Sequence, residues 1–254
     1  MTRPWMATAL VALALIAGWL WLTFGGVVSD LFLPPPGELR DAFLDLLREG
    51  YKSRPLWEHI LDSLIRVFVG FGAGAAIGTL LGLLMGYFPI VDALAAPFVE
   101  FLRPLPQLAY LVLLIIWLGI GETSKITLLF LAALPVSAVA ARDGVRNVSR
   151  ARIQVARSLG AGQWRIFRHV VFPSALAEIF TGARLAVGVA YGTLIASEII
   201  AGTSGIGWMI VDAGRFLRSD YVFVGILIIG FMGIALDRLL LAVETRMVHW
   251  AGKQ

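Results

Sequence analysis

The chain has 254 residues, of which 59% are hydrophobic and only 15% are charged, and its mean hydropathy is +0.84. Soluble domains carry about a quarter charged residues, so this chain is predicted to be a membrane protein. It contains no cysteine, which excludes disulfides, thiolate metal sites and cysteine nucleophiles. The net charge of +4 does not indicate nucleic-acid binding, because the positive residues are concentrated where a membrane protein needs them.

The first apolar segment covers about residues 6–24 and is preceded by Arg3. A signal peptide would have a shorter apolar run and a small-residue cleavage site. Three tryptophans also favour a retained anchor: Trp5, Trp19 and Trp21. Residues 1–28 are therefore predicted to form an N-terminal transmembrane anchor.

Residues 29–63 are predicted to form an extracytoplasmic connection. A polyproline turn occupies residues 34–36. An amphipathic helix is expected after it, with Leu39, Phe43 and either Leu46 or Leu47 on one face.

The second span covers about residues 64–87 and has a glycine at every fourth position. The five glycines are Gly70, Gly74, Gly78, Gly82 and Gly86. Glycine lets another backbone approach closely, which is how transmembrane helices associate without a hydrophobic driving force. The ladder predicts a close helix crossing, either inside one subunit or at a subunit interface.

The third span, about residues 93–118, contains polar and helix-breaking residues. Glu100 and Arg103 are three positions apart, and Pro104 and Pro106 remove two backbone donors and should break the helix. Freed backbone at membrane depth is tolerated where it lines a cavity or is buried in protein. Two interpretations stay open, a structural ion pair beside a kink and a role in a translocation pathway.

Three more spans complete a predicted set of six, at about residues 126–141, 175–200 and 221–243. Polar residues inside spans are functional candidates, so Glu198 near the outer end of the fifth span joins the pathway candidates. Four other charged residues are predicted to lie close enough to span ends for their side chains to reach the membrane surface, and we expect structural roles for them. They are Arg66, Arg184, Asp237 and Arg238.

Basic residues in the loops set the orientation. Seven arginines, opposed only by Asp143, lie between the fourth and fifth spans: Arg142, Arg146, Arg150, Arg152, Arg157, Arg165 and Arg168. That side is predicted to be the cytoplasm, and an even number of spans puts both termini there. Residues 64–247 then form the permeation core with a cytoplasmic loop at 142–173, and residues 248–254 form a cytoplasmic tail.

The loop is predicted to contain two short helices. Residues 149–159 form the first, which stops at Gly160 in a left-handed conformation. Residues 163–171 form the second, with Trp164, Phe167 and Val171 on one face and Arg165 and Arg168 on another, and Pro173 starts the fifth span. Such a pair makes a rigid knob; the alternative is an amphipathic loop on the membrane surface.

Enzymatic functions find little support. "GTSG" at residues 202–205 is similar to a rhomboid protease serine motif, but His169 and His249 lie on the opposite side from Ser204 and His59 is out of order. A G-x-x-x-x-G-K-[ST] phosphate loop is absent, so any ATP must be hydrolysed by another chain. A secondary transporter would show two related halves with coupling-ion ligands at mid-membrane, and no such internal repeat is seen.

The loop resembles the cytoplasmic EAA loop of ABC importer permeases, E-A-A-x-x-x-G followed by nine residues and I-x-L-P. Ala156, Gly160 and Pro173 match this pattern and Val170 is a conservative replacement. Gln154 replaces the glutamate and Val155 an alanine, so the charged contact of that glutamate does not carry over. "LFLPPP", "EFLRPLPQLAYLVLLIIWLGIGETSKI" and "SEIIAGTSGIGWMI" resemble the taurine, alkanesulfonate and nitrate branch, and "WLGIGETSKI" looks most like taurine permeases.

The resemblance implies an all-α polytopic membrane protein with the six-span, type I (MetI-like) importer permease fold. It implies a homodimer in the bacterial cytoplasmic membrane, with two ATP-binding subunits on the arginine-loop side and an extracytoplasmic substrate-binding protein. ATP and Mg²⁺ would belong to the partner subunits, and this chain would have no catalytic residue, cofactor or metal. The implied cargo is a small organic sulfonate such as taurine; nitrate, bicarbonate, another sulfonate or a thiamine precursor are the alternatives. The coupling residues would be Gln154, Val155, Ala156, Arg157, Gly160, Trp164, Arg165, Phe167 and Pro173.

Overall fold

The structure, a computed structural model, describes residues 4–248, and for residues 4, 5, 7 and 8 it describes the backbone alone. The predicted tail beyond Val248, and the side chains of Arg3 and Trp5, lie outside the described part. Within that part every regular element is helical apart from one isolated antiparallel bridge between Tyr51 and Arg54.

The helices follow in chain order. They are α1 (Pro4–Phe24), α2 (Pro36–Arg48), α3 (Leu56–Tyr87), α4 (Pro89–Leu102), α5 (Gln107–Leu118), α6 (Glu122–Arg146), α7 (Arg150–Ser158), α8 (Gln163–Ile166), a π turn (Phe167–Val171), α9 (Phe172–Ala201), α10 (Ile206–Arg215) and α11 (Ser219–Met247).

Four of these helices are long and apolar enough to cross a membrane by themselves: α3, α6, α11 and the continuous helix Gln163–Ala201. The predicted third span is instead two helices, α4 and α5, that meet at an angle of 100°. Counting that pair as one gives five spans, and the apolar part of α1 that the structure describes, Ala9–Phe24, is shorter than the others. The all-helical membrane fold is confirmed, whereas the number six is not established.

The centre of the fold is α3 packed on α6, with α9 on the other side of α6. A Cβ on Gly70 would lie 2.6 Å from Leu129 Cβ, and one on Gly74 would lie 2.5 Å from the Phe130 carbonyl oxygen. Gly78 and Gly82 face the carbonyls of α6 still more closely, and Gly86 faces Val145. The whole glycine ladder therefore faces one helix of the same chain, which answers the choice between intrasubunit packing and a subunit interface.

The amphipathic helix α2 is present but turned from its predicted position. Leu39, Ala42 and Leu46 are buried, whereas Phe43 and Leu47 are 40% and 55% exposed. The buried set shares a cluster with Ile206 of α10, so the partner helix selects the face. Phe43 lies beside Leu39 at the edge of this face, and it is only partly covered.

The second helix of the loop is not separate from the fifth span. It continues from α8 through the π turn into α9, where the Phe172 N–H donates to the Phe167 carbonyl five residues earlier. The expectation that Pro173 starts a new helix was wrong. Proline inside a helix removes one N–H and crowds the carbonyl four residues back, and the wider π turn immediately before Pro173 lets the helix pass through it.

Candidate functional site

The loop between α6 and α9 forms a defined corner. We call residues 150–173 the docking segment. Gly160 has φ +77°, as predicted, and the chain turns there because the Gly160 and Ala161 N–H groups donate to the carbonyls of Arg157 and Ala156 at 2.9 and 3.0 Å. These bonds satisfy carbonyls at the end of α7. The corner is fixed by backbone geometry.

The inner side of the docking segment is anchored to the ends of the membrane helices. Ile166 and Val171 are buried with Val145 and Ala175. The Phe167 ring packs edge-on against Tyr87 of α3 at a centroid distance of 5.1 Å. The segment is therefore packed against the ends of α3, α6 and α9 together.

The outer side of the docking segment is apolar and positively charged. Val155, Leu159 and Trp164 are 59%, 83% and 72% exposed. Gln154, Arg157 and Arg165 are exposed beside them, and within the described residues neither arginine makes an ion pair. Trp164 and Val171 were predicted to share a face, and this was wrong, since Trp164 is exposed and Val171 is buried. The π turn between them adds a residue to one turn of the helix and so rotates the side chains that follow.

The break between α4 and α5 lies where the two prolines predicted it. Arg103, Pro104 and Pro106 are all exposed. The expected pair between Glu100 and Arg103 does not form, because Glu100 accepts a hydrogen bond from Arg142 of α6 at 2.9 Å. Arg103 makes no hydrogen bond or ion pair through its side chain among the described residues.

A buried charge cluster lies at the other end of α3, α6 and α9, and the sequence analysis did not predict it. Arg66 is 1% exposed and donates to Glu198 at 2.6 Å and to Glu122 at 2.6 and 2.8 Å. Glu198 is fully buried, and Ser63 also donates to it at 2.7 Å. Lys125, 1% exposed, donates to Glu122 at 3.0 Å. Two cations thus face two carboxylates.

The same cluster holds the turn before α10. The Gly207 N–H donates to Glu198 at 2.8 Å, and the Ile206 N–H donates to Ser63 Oγ at 3.0 Å. Gly205 has φ +105°, and a Cβ there would overlap the Glu198 carboxylate. Polar side chains of two membrane helices, α3 and α9, therefore satisfy the N–H groups at the start of α10.

Several predictions about charged residues are corrected by this geometry. Arg66 does not snorkel, since it is enclosed with its carboxylate partners. Glu198 does not face a pathway, because it too is enclosed. Ser204 Oγ accepts from Arg66 at 2.9 Å, while His59 contacts the Tyr51 carbonyl and the Gly205 N–H. The serine and histidine of the protease hypothesis therefore have other partners.

A second polar contact fixes α10 to the connection before α3. Asp212 accepts a hydrogen bond from Tyr51 at 2.7 Å and pairs with Lys52 at 2.7 Å. Burial acts to raise the pKa of Asp212, but hydrogen bonds from Lys52 and Tyr51 outweigh it, so that this pKa lies below its ordinary value of 3.8. Burial and the bond to Asp212 raise the pKa of the Tyr51 hydroxyl.

Comparison with known proteins agrees with this architecture. Residues 77–249 match the family described as binding-protein-dependent transport system inner membrane component. The chain is 40% identical over 240 residues to the taurine transport system permease protein TauC of Escherichia coli (strain K12), covering 94% of this chain and 87% of that protein. It is 33% identical over 246 residues to the putative aliphatic sulfonates transport permease protein SsuC of Bacillus subtilis (strain 168), covering 97% and 88% respectively.

A solved structure shows the same fold. One inward-facing conformation of the MetNI methionine ABC transporter superposes with a TM-score of 0.56 at 22% identity, covering 73% of this chain and 95% of that chain. The match over residues 77–249 includes the last third of α3 and all of the docking segment. The chain therefore belongs to the family of binding-protein-dependent transport system inner membrane components, the permeases of ABC importers.

Proposed function

We propose that this permease imports a small organic sulfonate such as taurine by alternating access. Two copies would form the translocation unit, two ATP-binding subunits would dock on the arginine-loop side, and a substrate-binding protein would deliver the cargo outside. The observation that carries the proposal is the docking segment, rigid on its inner side and apolar and cationic on its outer side. Likeness to taurine and sulfonate permeases supports the choice of substrate.

The docking segment suits the transmission of motion. ATP and Mg²⁺ would be bound by the partner subunits, and closure of those subunits would move both docked corners together. Because Phe167 packs on Tyr87 and the segment runs without interruption into α9, movement of the corner would tilt α3 and α9. The glycine-packed pair of α3 and α6 would follow as one body. The central pathway would then open to one side and afterwards to the other.

The break between α4 and α5 is proposed to face that pathway. Arg103 is a cation without an internal partner and lies beside a backbone broken at Pro104 and Pro106. A charged residue with no protein partner at membrane depth is tolerated where it meets water. Arg103 would offer positive potential to a passing sulfonate. Glu100, held by Arg142, would keep the end of α4 in place.

Orientation follows from the same arrangement. The docking segment lies at the end of the membrane helices opposite the buried charge cluster. If the ATP-binding subunits dock on the segment, that end is cytoplasmic, and α11 brings the C-terminal end of the chain to the same side. Both termini would be cytoplasmic, and α2 and α10 would be extracytoplasmic.

The test is ATP-dependent uptake of labelled taurine by the complete importer in proteoliposomes, with Gly160→Val as the decisive variant. Valine at φ +77° costs about 1 kcal/mol or more and would displace the corner from its partner. Gly162→Val is the matched control, because Gly162 has φ −69° and open space around it. We expect the first variant to insert normally but to lose partner retention or uptake, and the second to keep both.

Three results would contradict the proposal. Taurine uptake that proceeds without ATP would indicate a secondary transporter. Uptake of nitrate but not of sulfonates would show that the permease carries a different substrate of the same branch. Wild-type uptake by Gly160→Val would show that the docking segment is only a basic loop on the membrane surface. The mass of the purified complex should in addition correspond to two copies each of the permease and the ATP-binding subunit.

A further inference from the structure

A second charge cluster joins α9 to α11, away from the buried cluster described above. Arg184 Nε donates to Asp237 at 3.0 Å, and Arg184 Nη1 lies 3.9 Å from Glu244 Oε2. We call these three residues the α9–α11 cluster. Its formal charge is negative, because one guanidinium faces two carboxylates.

The Arg184–Asp237 pair lies inside the membrane-crossing part of both helices. At 1.5 Å per residue, Arg184 is about 18 Å from the start of α9 at Phe172, and Asp237 is about 15 Å from the end of α11 at Met247. The two distances agree, so the pair occupies one level. The helices are about 45 and 44 Å long and the hydrocarbon core is about 30 Å thick, so this level lies within the core even if each helix extends beyond it at this end alone. That Arg184 and Asp237 snorkel stays a prediction.

The cluster is also accessible from outside the chain. The side chains of Arg184 and Asp237 are 39% and 45% exposed. An ion pair with that much open surface is costly against lipid tails, and intramembrane charges almost always face a bundle interior or a water-filled cavity. In the assembled permease this face must therefore meet water or protein.

One acceptor in the cluster has no donor. Glu244 Oε2 is enclosed and accepts no hydrogen bond among the described residues. Its neighbour Arg184 is committed to Asp237 at the shorter distance. A buried carboxylate oxygen without a donor is unfavourable. Glu244 Oε2 therefore adds negative charge beside the Arg184–Asp237 pair, and because it is enclosed it does not contact a ligand directly.

The surface of α9 next to the α9–α11 cluster carries glycines in place of larger side chains. Gly188 and Gly192 follow Arg184 on the same side of α9 toward the buried charge cluster, and a Cβ on either would meet nothing within 4 Å. Both positions are exposed. A small solute moving along this side of α9 would meet no side chain at these two positions before it reaches Arg184.

We propose that Arg184 and Asp237 form a transient binding site for a zwitterion that carries both an ammonium and a sulfonate group. The guanidinium of Arg184 would hold the sulfonate, and the carboxylate of Asp237 would accept hydrogen bonds from the ammonium. A sulfonate without an amine would gain the first contact only. The inference rests on the proposed sulfonate import and adds selectivity for amino-substituted sulfonates.

The experiment measures weak binding by saturation-transfer NMR on the purified complex of permease and ATP-binding subunits. Leaving out the substrate-binding protein removes its own selectivity. The probes are taurine and isethionate, which have the same carbon skeleton and differ in an ammonium against a hydroxyl. The variants are Asp237→Asn and Arg184→Gln. Arg238→Gln is the control, since Arg238 is exposed beside Asp237 and has no hydrogen-bond or ion-pair partner among the described residues.

We expect the wild type to prefer taurine. Asp237→Asn should raise the dissociation constant for taurine about tenfold, the scale of one charge-assisted hydrogen bond, and leave isethionate unchanged. Arg184→Gln should weaken the binding of both solutes, and Arg238→Gln should weaken the binding of neither.

Equal effects of Asp237→Asn on both solutes, or no effect on either, would show that the pair merely joins two helices and would overturn the site. If the wild-type importer takes up no sulfonate in proteoliposomes, the proposed function falls and the site falls with it. If instead the wild-type importer takes up taurine but Asp237→Asn does not change the preference for taurine over isethionate, only the site is overturned.

Discussion

Replacement of Arg66 by methionine is predicted to be the most destabilising single change in the buried charge cluster. Methionine keeps the length of the side chain and removes its charge and donors. Glu122 is 56% exposed and keeps Lys125, so it tolerates the loss. Glu198 is fully buried and loses the one cation that pairs with it among the described residues, retaining hydrogen bonds from Ser63 and the Gly207 N–H.

The size of the effect follows from that burial. Removing one partner of a buried ion pair costs about 3–5 kcal/mol, because an uncompensated charge remains. A second substitution, Glu198→Gln, removes the orphaned charge and can keep an acceptor for the Gly207 N–H. The double variant should therefore be more stable than Arg66→Met alone. The change in unfolding free energy for the double variant, minus the sum of the changes for the two single variants, measures the coupling between Arg66 and Glu198.

Arg54 provides the matched control. It also contacts two carboxylates, Glu58 at 2.9 Å and Asp62 at 3.0 Å, but its side chain is 40% exposed. An exposed pair of this kind contributes little to stability, because water screens the two charges. Unfolding of the detergent-purified permease would be followed by tryptophan fluorescence during denaturant titration. Equal losses for Arg66→Met and Arg54→Met, or a double variant no more stable than Arg66→Met, would refute the reasoning.

Three further changes test other parts of the structure. Gly82→Ala places a methyl group against the Ala138 carbonyl and should destabilise α3–α6 packing by about 1–3 kcal/mol, whereas Gly72→Ala, with open space around it, should be neutral or stabilising in an unfolding titration. Arg103→Gln should lower the rate of taurine uptake while the mass of the complex stays unchanged; an unchanged rate would remove Arg103 from the pathway. The lowered pKa of Asp212 contributes stability that is present above its ordinary value of 3.8 and is lost as the pH falls through the lower folded-state pKa, so the thermal stability of Asp212→Asn should fall less in acid than that of the wild type.

The sequence by itself determined the features that depend on composition and local backbone chemistry. Apolar runs gave the membrane helices, because about 20 apolar residues are needed to cross the hydrocarbon. Pro104 and Pro106 predicted the break between α4 and α5, since proline removes backbone donors wherever it stands. Gly160 predicted the left-handed corner for the same local reason, and the glycine period predicted a close helix contact.

Only the tertiary structure decided which groups meet. Arg66 and Glu198 are far apart in sequence, and no periodicity links them, so their pairing and the position of α10 followed from the packing of α3 against α6 and α9. Glu100 is three residues from Arg103, yet a neighbouring helix offers it Arg142 instead. Arg184 and Asp237 belong to different helices, and only the packing of α9 against α11 brings them together. Charge pairing in a membrane protein is set by helix neighbours, because a charge in a medium without water must take whichever partner the packing brings to it.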